Sequence, residues 1–255
     1  MLALLGDRRC CGLNSFTMSR HFNRIAFFWV GPDVSIPSML VRSIRMAYGA
    51  GMEVVQLTDR DTPQVEGVSL CKRVKLTPRI MVARLEAYAS LAVKEPTLYL
   101  DADMMIVRPF DLPPLQPNEV GVTPRKDHVK INWQFPIEFP EFQEQYFDVV
   151  MPYIYSFVYA NSEVLFLRQL NMLKKMSKRF QLWYGDQVTL KKELDSGRYT
   201  IRPFDVNTHN RTVRSVPEFQ DALASTPELC IAHFKGPQGK ETLAQVLQMQ
   251  HVDNS

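Results

Sequence analysis

The stretch PTLYLDADMMIVRPFD, residues 96–111, places two acids inside a run that otherwise has the composition of a buried β-strand. Leu98–Leu100 lead into Asp101 and Asp103, and the four apolar residues 104–107 follow. An ionised carboxylate is costly to remove from water unless a cation or a hydrogen-bond donor meets it. We therefore expect both acids to face a polar site, and the surrounding sequence indicates what kind of site this is.

The segments around this stretch predict strands that alternate with helices. Apolar runs bounded by glycine, proline or polar residues indicate buried strands, whereas apolar residues three to four apart indicate helices. Strands are predicted at 24–31, 53–59, 68–76 (alternatively an extended connection) and 97–107, and helices at 37–51 and 77–93, the latter capped by Thr77. This alternation predicts an α/β fold with a Rossmann-like, mainly parallel central sheet flanked by helices. Ligands bind such sheets beyond the carboxyl ends of the strands, and the acid pair lies late in its strand.

The second half of the chain is less regular. A long loop with short pieces of structure is predicted at 131–152, because this segment is rich in aromatic residues and prolines. Beyond it we predict a strand at 153–161, helices at 163–180 and 183–194, and at 230–243 a short strand followed by a glycine-rich turn. Some aromatic side chains are core residues under the loop or, alternatively, rings that stack on an acceptor sugar, namely Trp133, Phe135, Phe139, Tyr146 and Tyr153.

Length and charge limit the classes of function. The chain has 255 residues, 45% of them hydrophobic, which suits one sizeable domain with a real core. The net charge is only +3 and the basic residues are scattered, whereas a nucleic-acid-binding surface would concentrate them. We therefore predict no nucleic-acid partner, although a phosphate-bearing small ligand is compatible with this composition. Residues 1–23 are predicted to be an N-terminal tail and 24–255 a single domain.

Cysteine spacing and hydropathy bear on the location of the protein. The four cysteines show no CxxC spacing, which favours reduced thiols over a disulfide framework. The N-terminal segment lacks the order of charge and apolar length typical of a signal peptide, and no segment has the ~20 apolar residues of a membrane helix. A cytoplasmic protein with at most peripheral membrane contact is expected. The oligomeric state is not predictable from these features.

The spacing of the two acids suggests a metal site. Side chains two residues apart in an extended strand point the same way, so Asp101 and Asp103 are expected on one side and Ala102 on the other. Two carboxylates separated by a small residue form half of a site for a hard divalent cation. Alternatively, the pair is satisfied by an arginine or a helix N-terminus, but its position at the end of an apolar strand favours the cation.

The sequence TLYLDADMMIVRPF resembles the DxD strand of metal-dependent nucleotide-sugar glycosyltransferases with the GT-A fold. Within that class it is most similar to the retaining enzymes of family eight, the glycogenin and lipopolysaccharide galactosyltransferase type. Three further stretches follow in the family's order and extend the resemblance over residues 24–243: VARLEAYASL (82–91), YGDQVTL (184–190) and IAHFKGPQGK (231–240). The last stretch departs from the family, because Glu241 and Thr242 follow Lys240 where the family has proline and tryptophan.

The resemblance implies a role for each residue of these motifs. The metal, Mn²⁺ or Mg²⁺, would be held by Asp101, Asp103 and His233. The donor, a UDP-sugar by family habit, would be contacted by Arg84 at the sugar and by Gly236 and Lys240 at the diphosphate. At the end of the first strand, Asp33 is expected to accept a hydrogen bond from the base, and the small Ala102 to leave room for the ribose.

The GDQ segment supplies the residues expected near the reacting carbon. Gln187 is expected to hydrogen-bond rather than attack, because an amide is a weak nucleophile and a poor base. Asp186 is expected to hold sugar hydroxyls or, alternatively, to cap a helix.

The expected function is transfer of a sugar from a nucleotide-diphosphate donor to a glycan-type acceptor, with retention implied by the family. A bound divalent cation would stabilise the charge that develops on the leaving diphosphate. A catalytically silent sugar-nucleotide or glycan-binding module of the same fold is the alternative from another class. A haloacid-dehalogenase-type phosphatase also uses a DxD, but its acid pair belongs early in the chain and it is disfavoured.

Overall fold

The computed structural model describes residues 21–91, 95–126, 128–131, 139–142 and 144–252. Its strands are β1 (Arg24–Phe28), β2 (Glu53–Thr58), β3 (Leu70–Arg73), β4 (Thr97–Leu100), β5 (Met104–Ile106), β6 (Glu119–Pro124), β7 (Tyr153–Ala160), β8 (Thr200–Pro203), β9 (Arg211–Thr212) and β10 (Ile231–His233). Its α-helices are α1 (Ser35–Tyr48), α2 (Ile80–Ser90), α3 (Phe147–Val150), α4 (Glu163–Lys175), α5 (Lys178–Leu182), α6 (Gly185–Asp195), α7 (Val206–His209), α8 (Val216–Ser225) and α9 (Gly236–Val252). No helix within the described ranges has the length and apolar character needed to cross a membrane.

A seven-stranded sheet forms the centre of the described part of the chain, in the order β3-β2-β1-β4-β7-β6-β8. Strands β3, β2, β1 and β4 run parallel to one another, β8 runs parallel to β6, and β7 is antiparallel to both β4 and β6. The mainly parallel sheet predicted from the sequence is therefore confirmed. Its strands β1 and β4 are paired side by side, so the loops after them lie at the same edge.

The two faces of this sheet carry separate apolar layers. In β1, Ala26 and Phe28 pack toward helices α2 and α4, whereas Ile25 and Phe27 pack toward α1. This division follows from the alternation of side chains along a strand. With both faces covered, β1 and β4 at the centre of the sheet are buried along almost their whole length, as expected of parallel strands.

The predicted strand at 97–107 is wrong as one element, because the chain leaves the large sheet at Asp101. Residues after the break form β5, which pairs with β10 in a second, three-stranded sheet of order β5-β10-β9. A strand that continued into the core would bury the carboxylates of Asp101 and Asp103, which is costly unless each has a partner. The register places His233 opposite Met104, and the Phe234 N–H donates to the Asp103 carbonyl at 2.9 Å. The break therefore sets the acid pair beside the end of β10.

Three helix boundaries also differ from the predictions. The helix expected from Thr77 begins at Ile80, because a residue that precedes proline disfavours helical backbone and Thr77 precedes Pro78. The helix expected at 163–180 is two helices, and the Gln181 amide donates to the Lys174 and Met176 carbonyls where the first one ends. The glycine-rich turn expected after β10 is instead the first turn of α9.

The aromatic segment supports the core interpretation at one position. Phe139 is buried and packs on Phe180 with ring centroids 5.0 Å apart, so it belongs to the apolar layer around α2 and α4. Tyr146 stacks on His128 at 3.7 Å, and Tyr153 is partly buried. The predictions for Trp133 and Phe135 lie outside the described residues, as does the tail up to residue 20.

Candidate active site

The structure brings together the three residues predicted as metal ligands. Asp101 and Asp103 lie in the turn between β4 and β5, and His233 is the last residue of β10. One ligand atom from each lies within 4.8 Å of the other two, and His233 Nε2 is 3.2 Å from Asp103 Oδ1. His233 is buried, whereas the two acids keep about a fifth of their side chains exposed, 23% and 19%. The cluster is therefore a half-open set of two carboxylates and one imidazole.

A buried amide orients the imidazole. His233 Nδ1 lies 2.9 Å from Asn210 Oδ1, while Asn210 Nδ2 donates to Thr123 Oγ1 at 2.8 Å and to Ser156 Oγ at 3.0 Å. With its NH₂ group committed to these hydroxyls, the Asn210 oxygen accepts the Nδ1–H proton. His233 Nε2 then faces the carboxylates with a lone pair, and a proton or a cation must lie between them. This arrangement of donor atoms fits a divalent cation, with Asn210 as the group that orients its ligand.

The charge on Asp103 is stabilised by its surroundings. Burial alone would raise the pKa of this carboxyl, but the neighbouring His233 and the Lys240 ammonium together hold its pKa below the ordinary value. The carboxylate form, which is the form that ligates a metal, is therefore favoured.

Arg84 links the acid pair to the GDQ segment. Its Nη2 lies 3.2 Å from Asp101 Oδ1, and its Nη1 donates to Asp186 Oδ2 at 2.9 Å. Burial disfavours the charged guanidinium, but the two carboxylates outweigh this effect and raise the pKa of Arg84. Arg84 is thus the cationic partner of Asp101 in the folded chain, although it lies 17 positions earlier in the sequence.

Asp186 is enclosed rather than open to a ligand. It is 1% exposed, and its Oδ1 accepts the Gln187 N–H at 2.8 Å while Oδ2 accepts from Arg84. Burial raises the pKa of this carboxyl, and the Arg84 guanidinium opposes the rise. In this conformation Asp186 positions Arg84, and both of its carboxylate oxygens have partners; that it holds sugar hydroxyls stays a prediction. The capping alternative is not met, because helix α6 has no side-chain cap and begins after Tyr184.

Gln187 follows Asp186 in α6, but its side chain contacts a different arginine. Its Oε1 accepts a hydrogen bond from Arg125 Nη2 at 2.7 Å, and Arg125 Nε donates to the Met151 carbonyl at 2.8 Å. The residue before the segment, Tyr184, has a left-handed backbone with φ 60°. Such conformations are uncommon outside glycine and cluster at functional sites.

Two lysines lie close to the acid pair. Lys240, predicted as a diphosphate ligand, lies in the second turn of α9 and interacts with Asp103. Lys235 was not predicted, yet both Asp101 and Asp103 act on its ammonium group. Burial, joined by Arg125, lowers the pKa of Lys235 to about 8 despite these two acids. Gly236 begins α9 with φ 73°, so the helix N-terminus follows Lys235 directly.

The two residues predicted for the nucleoside have structural contacts of their own. Asp33 is exposed in the loop after β1, and its Oδ1 accepts the Ser35 N–H at 2.8 Å, which lowers the pKa of the carboxyl. Ala102 is 5% exposed, and its methyl group lies in the apolar layer beneath α1. Asp33 therefore lies at the edge of the sheet where a nucleotide is expected, whereas the Ala102 side chain faces the core.

Comparison of the sequence with protein-family models and with curated proteins finds no match. Several solved structures nevertheless share the fold. The apo form of the glycosyltransferase GlyE from Streptococcus pneumoniae TIGR4 is 14% identical with TM-score 0.55, over 86% of this chain and 55% of that protein. The bifunctional glycosyltransferase WbbM is 14% identical with TM-score 0.54, over 86% of this chain and 46% of WbbM.

The galactosyltransferase LgtC, solved with donor and acceptor sugar analogues, is similar over almost its whole length. It is 13% identical with TM-score 0.56, and the alignment covers 89% of this chain and 95% of LgtC. This chain therefore spans about half the length of GlyE and WbbM but nearly all of LgtC. The predicted GT-A fold is confirmed by these neighbours.

Proposed function

We propose that this protein is a metal-dependent glycosyltransferase that moves a sugar from a nucleotide-diphosphate donor, UDP-linked by preference, to a glycan-type acceptor. The observation that carries the proposal is the acid–histidine cluster of Asp101, Asp103 and His233 at the carboxyl end of β4. Lys235 and Lys240 lie beside this cluster. Solved structures that share the fold are named as glycosyltransferases, which supports a transferase over the phosphatase considered from the sequence. The combination fits a site for an anionic donor held through a cation.

The cluster suits Mn²⁺ or Mg²⁺ held by Asp101, Asp103 and His233, with other positions left for ligand oxygens. When bound, such an ion would stabilise the negative charge that grows on the leaving diphosphate. The chain itself would add charge compensation from Lys235 and Lys240, and backbone N–H groups at the start of α9 would favour a phosphate there.

The acids and the amide have separate proposed roles. Asp186 is enclosed and ion-paired with Arg84, so it is poorly placed to attack the anomeric carbon. We assign it the role of holding Arg84, whose guanidinium keeps Asp101 oriented and borders the donor sugar. Gln187 would hydrogen-bond to the sugar or the acceptor near the reacting carbon. Because Asp186 is enclosed, we favour attack from the leaving-group face as the route compatible with retention.

The first test is a calorimetric titration of UDP in the presence of Mn²⁺ and again with a chelator. Wild type is expected to bind UDP with micromolar affinity only when the metal is present, and Asp103→Ala should abolish that binding. Asp195→Ala is a matched control, because this acid is half exposed and pairs with Lys191 on the outer face of α6. UDP binding that survives both the chelator and Asp103→Ala would contradict the proposed metal site.

The second candidate is a catalytically silent binding module of the same fold. It is favoured by the departure from the family's sequence after Lys240, where Glu241 and Thr242 stand in place of proline and tryptophan. Such a module would bind UDP and metal as described but would neither hydrolyse nor transfer the sugar of any UDP-sugar tested. Time-resolved detection of UDP release across a donor panel separates the two functions. For an active enzyme, NMR of the product is expected to show the donor's anomeric configuration, and an inverted product would contradict retention.

A further inference from the structure

A basic cleft opens beside the cluster of Asp101, Asp103 and His233, and most of its lining residues have no role in the function proposed above. Its volume is about 250 Å³, and its walls come from the two residues after β6, from β7, from α7 to β9, from the start of α8, and from Lys235 after β10. We call it the basic cleft and define it by its five cationic side chains: Arg125, Lys126, Arg211, Arg214 and Lys235. Among its lining residues, all of them in the described part of the chain, Glu218 is the single carboxylate.

One end of the basic cleft is the candidate active site itself. Lys235 lies two residues after His233, and both acids of the DxD turn act on its ammonium group. Arg125 donates to Gln187, and Asn210, which also lines the cleft, holds the imidazole of His233. A molecule that occupied the cleft would therefore extend from the reacting centre outward.

The other end of the cleft is strongly cationic. Arg211 and Arg214 are exposed on β9 and just beyond it, and Arg211 Nη1 donates to the neutral Asn207 side chain at 3.0 Å. Lys126 is offset by Asp205, 2.6 Å away, but Arg214 and Arg125 both act on Lys235 as like charges. Like charges grouped in a concave surface repel one another. Together they also attract anions and raise the local concentration of anions in the cleft. Arginine in particular suits phosphate and carboxylate, because its planar fork can donate two parallel hydrogen bonds.

We propose that the basic cleft binds an anionic group, a phosphate or a carboxylate, on the sugar acceptor, so that the enzyme extends an acidic glycan. This inference rests on the proposed glycosyltransferase function and names the class of its acceptor. The volume of the cleft, about 250 Å³, is smaller than the roughly 300–1,000 Å³ of sites for drug-sized ligands. This size suits one charged sugar unit rather than a long neutral chain. Arg211 and Arg214 would contact the anion, while Arg125 and Lys235 border the acceptor hydroxyl.

The test measures binding of glucose, glucose 6-phosphate and glucuronate by calorimetry, first without UDP and then with saturating UDP and Mn²⁺. We expect one or both of the anionic sugars to bind wild type, and glucose to bind at least tenfold more weakly. The affinity for the anionic sugars should fall as the salt concentration is raised. The double variant Arg211→Gln/Arg214→Gln should weaken the anionic sugar at least tenfold. Arg198→Gln is the matched control, because this arginine is half exposed outside the cleft. The phosphate and carboxylate arms identify which anion the cleft takes.

Separate outcomes distinguish this proposal from the proposed function. The double variant should bind UDP with Mn²⁺ as wild type does, and its UDP-sugar hydrolysis should be unchanged. Loss of UDP binding in that variant would assign the cleft to the donor diphosphate and overturn the proposal. Equal binding of glucose and the anionic sugars, binding of neither anion, or binding that the double variant retains would also overturn it. Failure of the metal-dependent UDP titration in wild type would contradict the proposed donor site, whereas the sugar titrations without UDP report on the basic cleft separately.

Discussion

At the scale of single residues, the orientation of His233 is the feature on which the metal site depends. Its Nδ1 is held by Asn210, which is itself fixed by the hydroxyls of Thr123 and Ser156. All four side chains are fully or almost fully buried. The imidazole therefore cannot turn away from the carboxylates without leaving several polar atoms unpaired.

Asn210→Ala is expected to weaken Mn²⁺-dependent UDP binding about 10–100-fold, because a histidine ligand that loses its orienting partner binds metal less tightly. The same change should lower the free energy of unfolding by about 1–3 kcal/mol, since buried hydroxyls lose a hydrogen-bond partner. Calorimetry at a temperature where the variant stays folded measures the first effect separately from the second. Asn161→Ala, at a partly exposed asparagine that donates to the Gln116 carbonyl, is the control. A variant that is less stable but keeps wild-type metal dependence would show that Asn210 is only structural.

At the scale of secondary-structure elements, the start of α6 is tightly packed. A Cβ atom at Gly185 would overlap the Phe180 carbonyl oxygen and Leu173 Cδ1, so α4, α5 and α6 meet at this glycine. The next two residues along the helix are Asp186 and Gln187, whose positions depend on that contact. Any larger residue here must push α6 away from its neighbours.

Gly185→Ala should therefore lower the free energy of unfolding by about 1–3 kcal/mol through overpacking, and should displace the GDQ segment. We expect UDP-sugar turnover to fall more than Mn²⁺-dependent UDP binding, because the metal ligands lie on other elements and only Asp101 is linked to α6, through Arg84. Gly197→Ala is a useful comparison, since its Cβ would meet open space and only its left-handed backbone, φ 72°, carries a cost. Equal effects of the two substitutions on turnover would contradict the packing argument.

Strand β8 lies at the edge of the large sheet and is secured by an ion pair with β6. Arg202 Nε and Nη2 donate to the two oxygens of Glu119, each at 2.8 Å. This paired hydrogen bond lowers the pKa of Glu119, and burial opposes the effect only in part. A carboxyl whose pKa is lower in the folded chain contributes stability above its unfolded-state pKa of about 4.3, and that contribution is lost as the pH falls through the folded-state value.

Glu119→Gln is expected to lower the free energy of unfolding by about 1–2 kcal/mol at pH 7, and the difference from wild type should shrink at pH values below about 4. Urea unfolding of wild type, Glu119→Gln, Arg202→Gln and the double variant at both pH values gives the coupling energy directly. A coupling energy that is the same at pH 7 and in acid would show that the pair does not act through the charge of Glu119.

At the scale of the whole molecule, the candidate site joins both sheets. The DxD turn leaves the large sheet and enters the small one, His233 ends a strand of the small sheet, and Arg84 reaches the turn from a helix packed on the large sheet. Neither sheet contains a complete site by itself. Ligand binding is therefore expected to stabilise the two sheets together.

We expect residues 24–255 to unfold in one calorimetric transition whose van't Hoff and calorimetric enthalpies agree. UDP with Mn²⁺ at about 100 times the dissociation constant should add about 2.7 kcal/mol, which for a chain of this length raises the midpoint by about 5–10 °C. Neither UDP with chelator nor Mn²⁺ alone should give the full shift. Two resolved transitions, or a shift confined to one of them, would contradict a single domain.

The sequence alone determined the class of fold and most of the candidate metal site. Apolar runs and helical spacing specify local structure, so β1, β2, α2 and the parallel arrangement followed from patterns that depend only on neighbouring residues. Asp101 and Asp103 were identifiable because acids are improbable after an apolar strand unless they have a partner. His233 was found through a resemblance between short motifs, since nothing in its immediate neighbours marks an isolated histidine as a ligand.

Only the tertiary structure decided which side chains meet across long stretches of chain. Arg84 as the partner of Asp101 and Asp186, Asn210 as the partner of His233, and Lys235 beside the acid pair all result from contacts between separate elements. The break of the predicted strand at Asp101 also results from a contact between separate elements, because it depends on β10 being available to pair with β5. The physical reason is that hydrophobic patterning is a local property of the sequence. The partners of a buried charge are set by how strands pair and helices pack.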